Sequence, residues 1–411
     1  MVAELSRAQF QAELSDFPSA DLMQCPFPFY AEGRNDPAVF KLPSQDSYLV
    51  FRHGPVAEVF LDTTNFSTVF DHSQSTEFLE YGGATHILGT DAPDHRPKRE
   101  LIMGSLSPGR LRAEEPKIRE AVVRLIDEFP DPRRVEFVDQ FAFPLPALVI
   151  CRMLGLPSVG EQFELFRRWS RELIRISRAE GSTDTDLDVD NDVTSAVTQL
   201  VAQIVADRQA SPKEDIISEI LARQLERRGA KDHAQTTTFA LEMLAGGVIT
   251  TGQLIASCML YIAKTPALEA ELRAEGNKIS AFIEEVLRVE SPVQYRPRRA
   301  VRDVEIGGVK IPSGATVILM VGSANRDDRA FECPEEFRIG RLKARSHVAF
   351  GVGEHLCMGA PLARLEARVA LEELLRRFKS IELMKPDEVI QNIDGRFFRA
   401  PAALDVVLEP V

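Results

Sequence analysis

The feature that most constrains this chain is a long apolar segment near its middle. Residues 234–264 contain no proline, and at about 1.5 Å per residue they would form one helix on the order of 46 Å long. Residues 239–262 are long and apolar enough to be tested as a membrane span. They include Glu242, Gln253 and several hydroxyl side chains, and the flanking residues show no topology signal. We therefore expect the buried helix of a large soluble core.

Composition narrows the class of protein. The formal net charge of -13 over 411 residues would repel a phosphate backbone, so nucleic acid is not an expected partner. Five scattered cysteines argue against a disulfide framework and for a reducing compartment. Residues 1–21 lack a continuous apolar run, which predicts neither a signal peptide nor a membrane anchor. We expect a cytoplasmic protein.

Periodicity predicts many helices and a few short strands. Strands are expected at 39–42, 47–51 and 316–320, with a hairpin-like turn at 304–308. From residue 93 onward the 3.6-residue period dominates, with one helix beginning at Glu115–Pro116 and the last at 362–378. No repeat or linker divides the chain. The expected fold class is mostly α with small β-sheets (α+β), in a single domain covering 1–411.

The most informative segment runs from Phe350 to Gly359 and reads Phe-Gly-Val-Gly-Glu-His-Leu-Cys-Met-Gly. Its glycines allow the backbone to bend and to approach a flat ligand closely. Cys357 precedes a predicted helix, whose free N–H groups and dipole favour thiolate over thiol. A thiolate is also the haem ligand that promotes O–O cleavage. These residues predict a haem-thiolate site.

This segment resembles the haem-binding loop of the cytochrome P-450 family, Phe-Gly-x-Gly-x-His-x-Cys-x-Gly in bacterial members. The resemblance implies that Cys357 is the proximal ligand of the iron in haem b. It also implies that Phe350 shields the sulfur, that Gly351 lets the loop approach the haem, and that His355 donates to a propionate. The fold expected from the resemblance is the P-450 fold, with a long central helix over the haem.

A second motif is Glu285-Val-Leu-Arg288, whose acid and base share one helical face at i and i+3. Alone it would usually be a surface pair. Followed by Glu-Ser-Pro at 290–292 and Ala-Asn-Arg-Asp at 324–327, it resembles the family's helix K and its buried ion-pair network. The implied role of Glu285 and Arg288 is structural.

Basic residues match the family's propionate donors. His95 and Arg99 stand at i and i+4, so one helical face presents two donors to carboxylates. By resemblance Arg298 is a third donor. Arg296 and Arg299 are close enough in sequence to be alternatives.

The long helix carries a third motif. Adjacent glycines at 246 and 247 each cost roughly 1 kcal/mol relative to alanine in mid-helix. They resemble the family's helix I, where Gly246 and Gly247 would leave room for dioxygen and the hydroxyls of Thr250 and Thr251 would serve catalysis. Members of the family usually have Asp or Glu immediately before this threonine, whereas this chain has Ile249. Two alternatives follow: a chain of water molecules delivers protons in place of the acid, or the enzyme's chemistry differs.

Substrate contacts are implied by resemblance alone, and each residue could equally belong to the core. The candidates, which together suggest an apolar and partly aromatic pocket, are Phe78, Tyr81, Leu88, Val293, Tyr295 and Phe397.

The resulting prediction is a haem-thiolate monooxygenase that inserts one oxygen atom from dioxygen into a small to medium apolar molecule. Electrons would come from a separate ferredoxin or flavodoxin, since no length remains for a reductase domain. One rival hypothesis is a related enzyme that uses peroxide or performs another non-monooxygenase reaction, as Ile249 would allow. The other is a haem-binding or sensor protein without turnover, which would not need Thr250 and the glycine pair.

Overall fold

The computed structural model describes residues 5–19, 22, 24–70, 81–179, 191–388, 392 and 397–411. Helices predominate among these residues and the strands are short, which confirms the predicted α+β class. The α-helices are α1 (Arg7–Ser15), α2 (Phe27–Gly33), α3 (His53–Leu61), α4 (His95–Met103), α5 (Pro108–Asp127), α6 (Pro144–Leu154), α7 (Gly160–Ala179), α8 (Asn191–Ala210), α9 (Ile216–Arg228), α10 (His233–Lys264), α11 (Pro266–Ala274), α12 (Ile279–Val289), α13 (Val321–Ala324) and α14 (Ala360–Arg377). The strands are β1 (Val39–Lys41), β2 (Ser47–Val50), β3 (Phe66–Ser67), β4 (Val135–Glu136), β5 (Arg296–Ala300), β6 (Val304–Ile306), β7 (Val309–Ile311), β8 (Thr316–Leu319), β9 (Phe378–Leu383) and β10 (Asp405–Pro410).

The chain forms two compact units, each assembled from separate stretches. The first unit comprises residues 1–70, 270–357 and 388–402, and the second comprises 71–269, 358–387 and 403–411.

A five-stranded sheet organises the first unit, in the order β1-β2-β8-β5-β3. Strands β2 and β8 are parallel, with Ser47 opposite Thr316, and the other neighbours are antiparallel. Strands β6 and β7 form the separate hairpin that the sequence predicted. The sheet buries apolar side chains such as Val50 and Val317, and α3 adds Val56 and Phe60 to the same cluster. This packing fixes β5 and α3 beside each other.

Helix α10 organises the second unit. It spans 32 residues, more than the roughly 20 that cross a bilayer core, and 67% of its most apolar stretch is buried. Within the unit it contacts α6, α8 and α14. It is therefore a core helix, as the sequence predicted, and it is the one described helix long and apolar enough to be considered as a membrane span. A three-stranded sheet, β4-β10-β9, completes the unit.

One predicted boundary is wrong. Helix α5 begins at Pro108, and Pro116, which we took as its start, lies inside it. Pro108 occupies a first-turn position after Ser107, where a missing N–H costs nothing because that group has no helical partner. Pro116 lies on the exposed side of the helix, so its ring and its lost hydrogen bond are tolerated there.

Candidate functional site

The loop before Cys357 is shaped by two glycines in the left-handed region. Gly351 has φ of 69° and Gly353 has φ of 77°. A Cβ on Gly353 would lie 3.0 Å from Cδ2 of Leu61 in α3, so the backbone approaches that helix closely. The amide of Cys357 donates to the carbonyl of Phe350 at 3.0 Å, which closes the loop. The thiol is thus presented on a tight, defined turn.

Cys357 is exposed, and its neighbour Leu356 is 44% exposed. An apolar side chain and a thiol side by side on an exposed turn form a surface suited to a flat apolar ligand. None of the five cysteines, all of which lie in the described part of the chain, forms a disulfide. Burial raises the pKa of the Cys151 and Cys258 thiols, so neither is a comparable ligand.

Strand β5 places its arginines on two faces. Arg296 and Arg298 share one face because residues two apart in a strand point the same way, and Arg299 lies on the other. Burial lowers the pKa of Arg296, while negative charge on the Cys357 sulfur opposes that shift. The Arg298 guanidinium lies over the Phe60 ring, 5.1 Å from its centroid. Arg296 therefore joins Arg298 as a donor candidate, whereas the strand geometry disfavours Arg299.

A buried ion-pair network in the first unit supports the loop that carries Cys357. Glu285 and Arg288 on α12 are both fully buried, and their carboxylate and guanidinium form two hydrogen bonds of 2.8 and 2.9 Å. The Glu285 carboxylate also accepts from Arg341 Nε at 3.0 Å. These hydrogen bonds and charges hold the pKa of Glu285 below its ordinary value, although burial alone would raise it. The arrangement is structural, and the sequence motifs did not identify Arg341.

Asn325 connects this network to the cysteine loop. Its backbone carbonyl accepts from Arg288 at 2.9 Å, and its side-chain oxygen accepts from the amide of Val348 at 2.7 Å. Val348 lies two residues before Phe350. The chain of hydrogen bonds therefore extends from α12 to the start of the loop that carries Cys357.

Helix α10 has a gap in its surface at its glycine pair. Gly246 is exposed, and a Cβ placed on it would meet no atom within 4 Å. Thr250 is half-buried and donates to the carbonyl of Gly246 at 2.8 Å, while Thr251 is buried. Ile249 is 5% exposed, so an aliphatic side chain fills the position of the family's usual acid. Open space and a hydroxyl thus lie next to each other on this helix.

One turn further, Gln253 is fully buried. Neither its amide oxygen nor its amide nitrogen has a hydrogen-bond partner among the described residues. A buried amide of this kind is an expected site for an internal water.

The remaining predicted residues are distributed as follows. His95 is the first residue of α4 and is fully buried, and Arg99 is half-buried one turn later. Val293 and Tyr295 are buried in the first unit, where the Tyr295 ring packs 5.6 Å from that of Phe397. Phe78 lies outside the described residues.

Glu242 has loop contacts that sequence reasoning did not predict. Its carboxylate accepts the amides of Ile87 and Leu88, each at 3.0 Å. Burial raises its pKa to about 7, against the lowering effect of those two amides and of Lys98. Burial lowers the pKa of nearby His86 to about 4, and Lys98 adds to the shift. In accord with a neutral ring, His86 Nδ1 accepts the amide of Gly89 at 3.0 Å.

A second buried carboxyl lies on α14. Burial raises the pKa of Glu366 to about 8, with Arg152 on α6 as an opposing influence. Arg152 lies 3.7 Å from Glu114 on α5, which is also buried. These groups link three helices of the second unit.

Comparison with known proteins agrees with this geometry. The family model for cytochrome P450 matches residues 185–405. A putative cytochrome P450 of Bacillus subtilis (strain 168), YjiB, is 33% identical over 360 residues, covering 87% of this chain and 88% of the relative. The erythromycin C-12 hydroxylase of Saccharopolyspora erythraea is 32% identical over 348 residues, covering 84% and 85%. The structure of CYP109E1 from Bacillus megaterium in complex with testosterone matches with a TM-score of 0.80 at 29% identity, covering 93% of this chain and 98% of that one.

The fold and the exposed cysteine turn define a haem-thiolate protein. The chain belongs to the cytochrome P450 family. It is a monooxygenase with haem b as its cofactor, and it takes electrons from a redox partner and acts on a small molecule. The residues present fit haem b, since a thiol on an exposed turn suits the iron and a cationic face of β5 suits the propionates.

Proposed function

We propose that this monooxygenase inserts one oxygen atom from dioxygen into a small to medium apolar organic molecule. The observation that carries the proposal is the tight turn that presents the exposed thiol of Cys357. The gap at Gly246 beside Thr250 supports the use of dioxygen. Relatives in complex with testosterone, corticosterone and erythromycin B support an apolar substrate of moderate size or larger.

In this proposal each group of residues has one role. Cys357 is the iron ligand, Phe350 and Gly351 shape the turn around it, and His355 donates to a propionate. Haem b supplies, when bound, the redox-active iron at which dioxygen is used. Thr250 and Thr251 hold protons beside the space left by Gly246 and Gly247. The chain acts as a single haem-binding domain in the cytoplasm, and its redox partner is a ferredoxin or a flavodoxin.

A spectroscopic screen tests the substrate class. The ferric protein is titrated with apolar compounds of graded size, including steroids and macrolides, each paired with a polar analogue. At least one apolar compound should shift the haem from low to high spin, because it displaces water from the apolar site. A protein with an intact cysteinate spectrum that responds to no apolar compound, or equally to the polar analogues, would contradict this substrate class.

A second candidate function is a haem-thiolate enzyme that accepts peroxide. Ile249 favours it, because a buried aliphatic side chain at this position neither donates nor relays a proton. The distinguishing measurement is product formed with added peroxide relative to product formed with a reductase.

Haem anchoring gives a further prediction. Charge-assisted hydrogen bonds contribute about 1.5–3 kcal/mol each, so His95→Ala combined with Arg298→Ala should weaken haem retention by roughly 100-fold or more. Transfer of haem to an acceptor protein measures the effect. Arg299→Ala is the matched control, since Arg299 lies on the other face of β5, and should change little. If Arg296→Ala but not Arg298→Ala accelerates haem loss, Arg296 is the donor; unchanged retention in the double variant would contradict the assignment.

A further inference from the structure

The loop formed by residues 81–90 lies along the first half of α10. The Tyr81 ring packs 5.7 Å from that of His233, and the Tyr81 amide donates to Thr238 Oγ1 at 3.1 Å. At Gly82 a Cβ would lie 3.1 Å from that of Ala234, so the two backbones are close. The loop is therefore packed directly against the helix.

Three side chains of α10 hold this loop by its backbone. Gln235 donates to the carbonyl of Thr85 at 3.3 Å, Thr238 accepts from Tyr81, and Glu242 accepts from Ile87 and Leu88. At positions i, i+3 and i+7 they lie along one face of the helix. Glu242 is the strongest of the three, because each of its oxygens accepts one amide and a carboxylate acceptor makes the bond charge-assisted.

Lys98 on α4 also binds the loop. Lys98 Nζ donates to the carbonyl of Thr85 at 3.0 Å, and to the hydroxyls of Thr85 and Thr90 at 2.6 and 3.0 Å. Between these two attachments the Ile87 side chain is buried, while that of Leu88 is 50% exposed. One of the two amides that Glu242 binds is therefore that of Leu88, whose apolar side chain is exposed.

We propose that Glu242 is a specificity-determining positioning residue, whose carboxylate fixes Ile87 and Leu88 in the loop conformation that binds substrate. This inference rests on the proposed function and on the sequence-based expectation that Tyr81 and Leu88 contact the substrate. Without the carboxylate, two loop amides lose their acceptor, and the Leu88 side chain is no longer held in one place. Substrates of different size are then discriminated less strongly.

Hydrogen exchange of the holoenzyme tests the attachment. Peptides covering 81–90 should exchange on the order of 10- to 100-fold faster in Glu242→Leu, with a smaller effect in the nearly isosteric Glu242→Gln. Glu226→Gln, an exposed carboxylate on α9, is the matched control and should match wild type. Unchanged exchange in Glu242→Leu would overturn the proposal.

Ligand binding tests the consequence. The ratio of dissociation constants for a small and a large apolar ligand, read from the spin shift, should change at least fivefold in Glu242→Leu. The reduced carbon-monoxide spectrum should stay as in wild type, because Glu242 is not an iron ligand. Faster loop exchange with an unchanged ratio would overturn the role in specificity. If the wild-type protein itself lacked the red-shifted carbon-monoxide band, the proposed function would be contradicted. The two failures are therefore distinguishable.

Discussion

In the reduced carbon-monoxide complex, Cys357→Ser is expected to lose the strongly red-shifted Soret band that wild type shows, together with all reductase-driven turnover. The physical reason is that a serine hydroxyl is not deprotonated at neutral pH and is a much poorer electron donor to iron than a thiolate. The effect is an all-or-none spectral change, the largest expected from any single substitution in this chain. Absorption of the dithionite-reduced, carbon-monoxide-saturated protein measures it.

Cys25→Ser is the matched control, because Cys25 is also exposed and also outside any disulfide. It should leave the band and the turnover unchanged. Persistence of the red-shifted band in Cys357→Ser, or its loss in Cys25→Ser, would refute Cys357 as the ligand and with it the main assignment of the site.

The second large effect is expected at Ile249. General acid–base assistance is typically worth about 10²–10⁴-fold, and a buried isoleucine provides none. Protons must then come from water held by Thr250, Thr251 or the buried amide of Gln253. Reductase-driven turnover by wild type should therefore release a large share of its reducing equivalents as hydrogen peroxide. Ile249→Asp should raise the product formed per electron several-fold.

The measurement is product per electron consumed, on the substrate that gives the largest spin shift. Ile249→Val is the matched control, because it changes packing without adding a carboxyl, and its coupling should stay as low as that of wild type. Added peroxide should also support more product in wild type than in Ile249→Asp. Tight coupling in wild type, with no gain from aspartate and no peroxide-driven product, would show that protons reach the site by another route.

The sequence predicted the architecture well because the strongest patterns are also the ones that packing reinforces. The proline-free segment became α10 within one residue of the predicted start, since its apolar residues face the core on nearly every side. The hairpin at 304–308 was predicted from its paired glycines and formed as β6 and β7. The start of α5 was missed because two prolines, Pro108 and Pro116, give the same local signal and the sequence does not say which one is the first helical residue.

The site was predictable to the extent that its chemistry lies in short motifs. Cys357, Glu285 and Arg288 occupy fixed spacings, so their residue types and order were sufficient to select them. The loop contacts of Glu242 and the contact of Arg341 with Glu285 were not predicted, because each side chain acts on groups 56 to 155 residues away through hydrogen bonds set by loop conformation. A side chain that binds backbone amides leaves no motif, since the amide is the same in every residue.

The pairing of β2 with β8 governs the order in which the chain can fold as it leaves the ribosome. Ser47 is opposite Thr316, so the two paired positions are 269 residues apart in the sequence. At roughly 5–20 residues per second, translation of that stretch takes about 13–54 s. Until then β1 and β2 exist as a lone hairpin, which is marginal in water, whereas residues 71–269 of the second unit are already complete. Cys357 emerges after β8, so haem uptake is a late event in the synthesis of this protein.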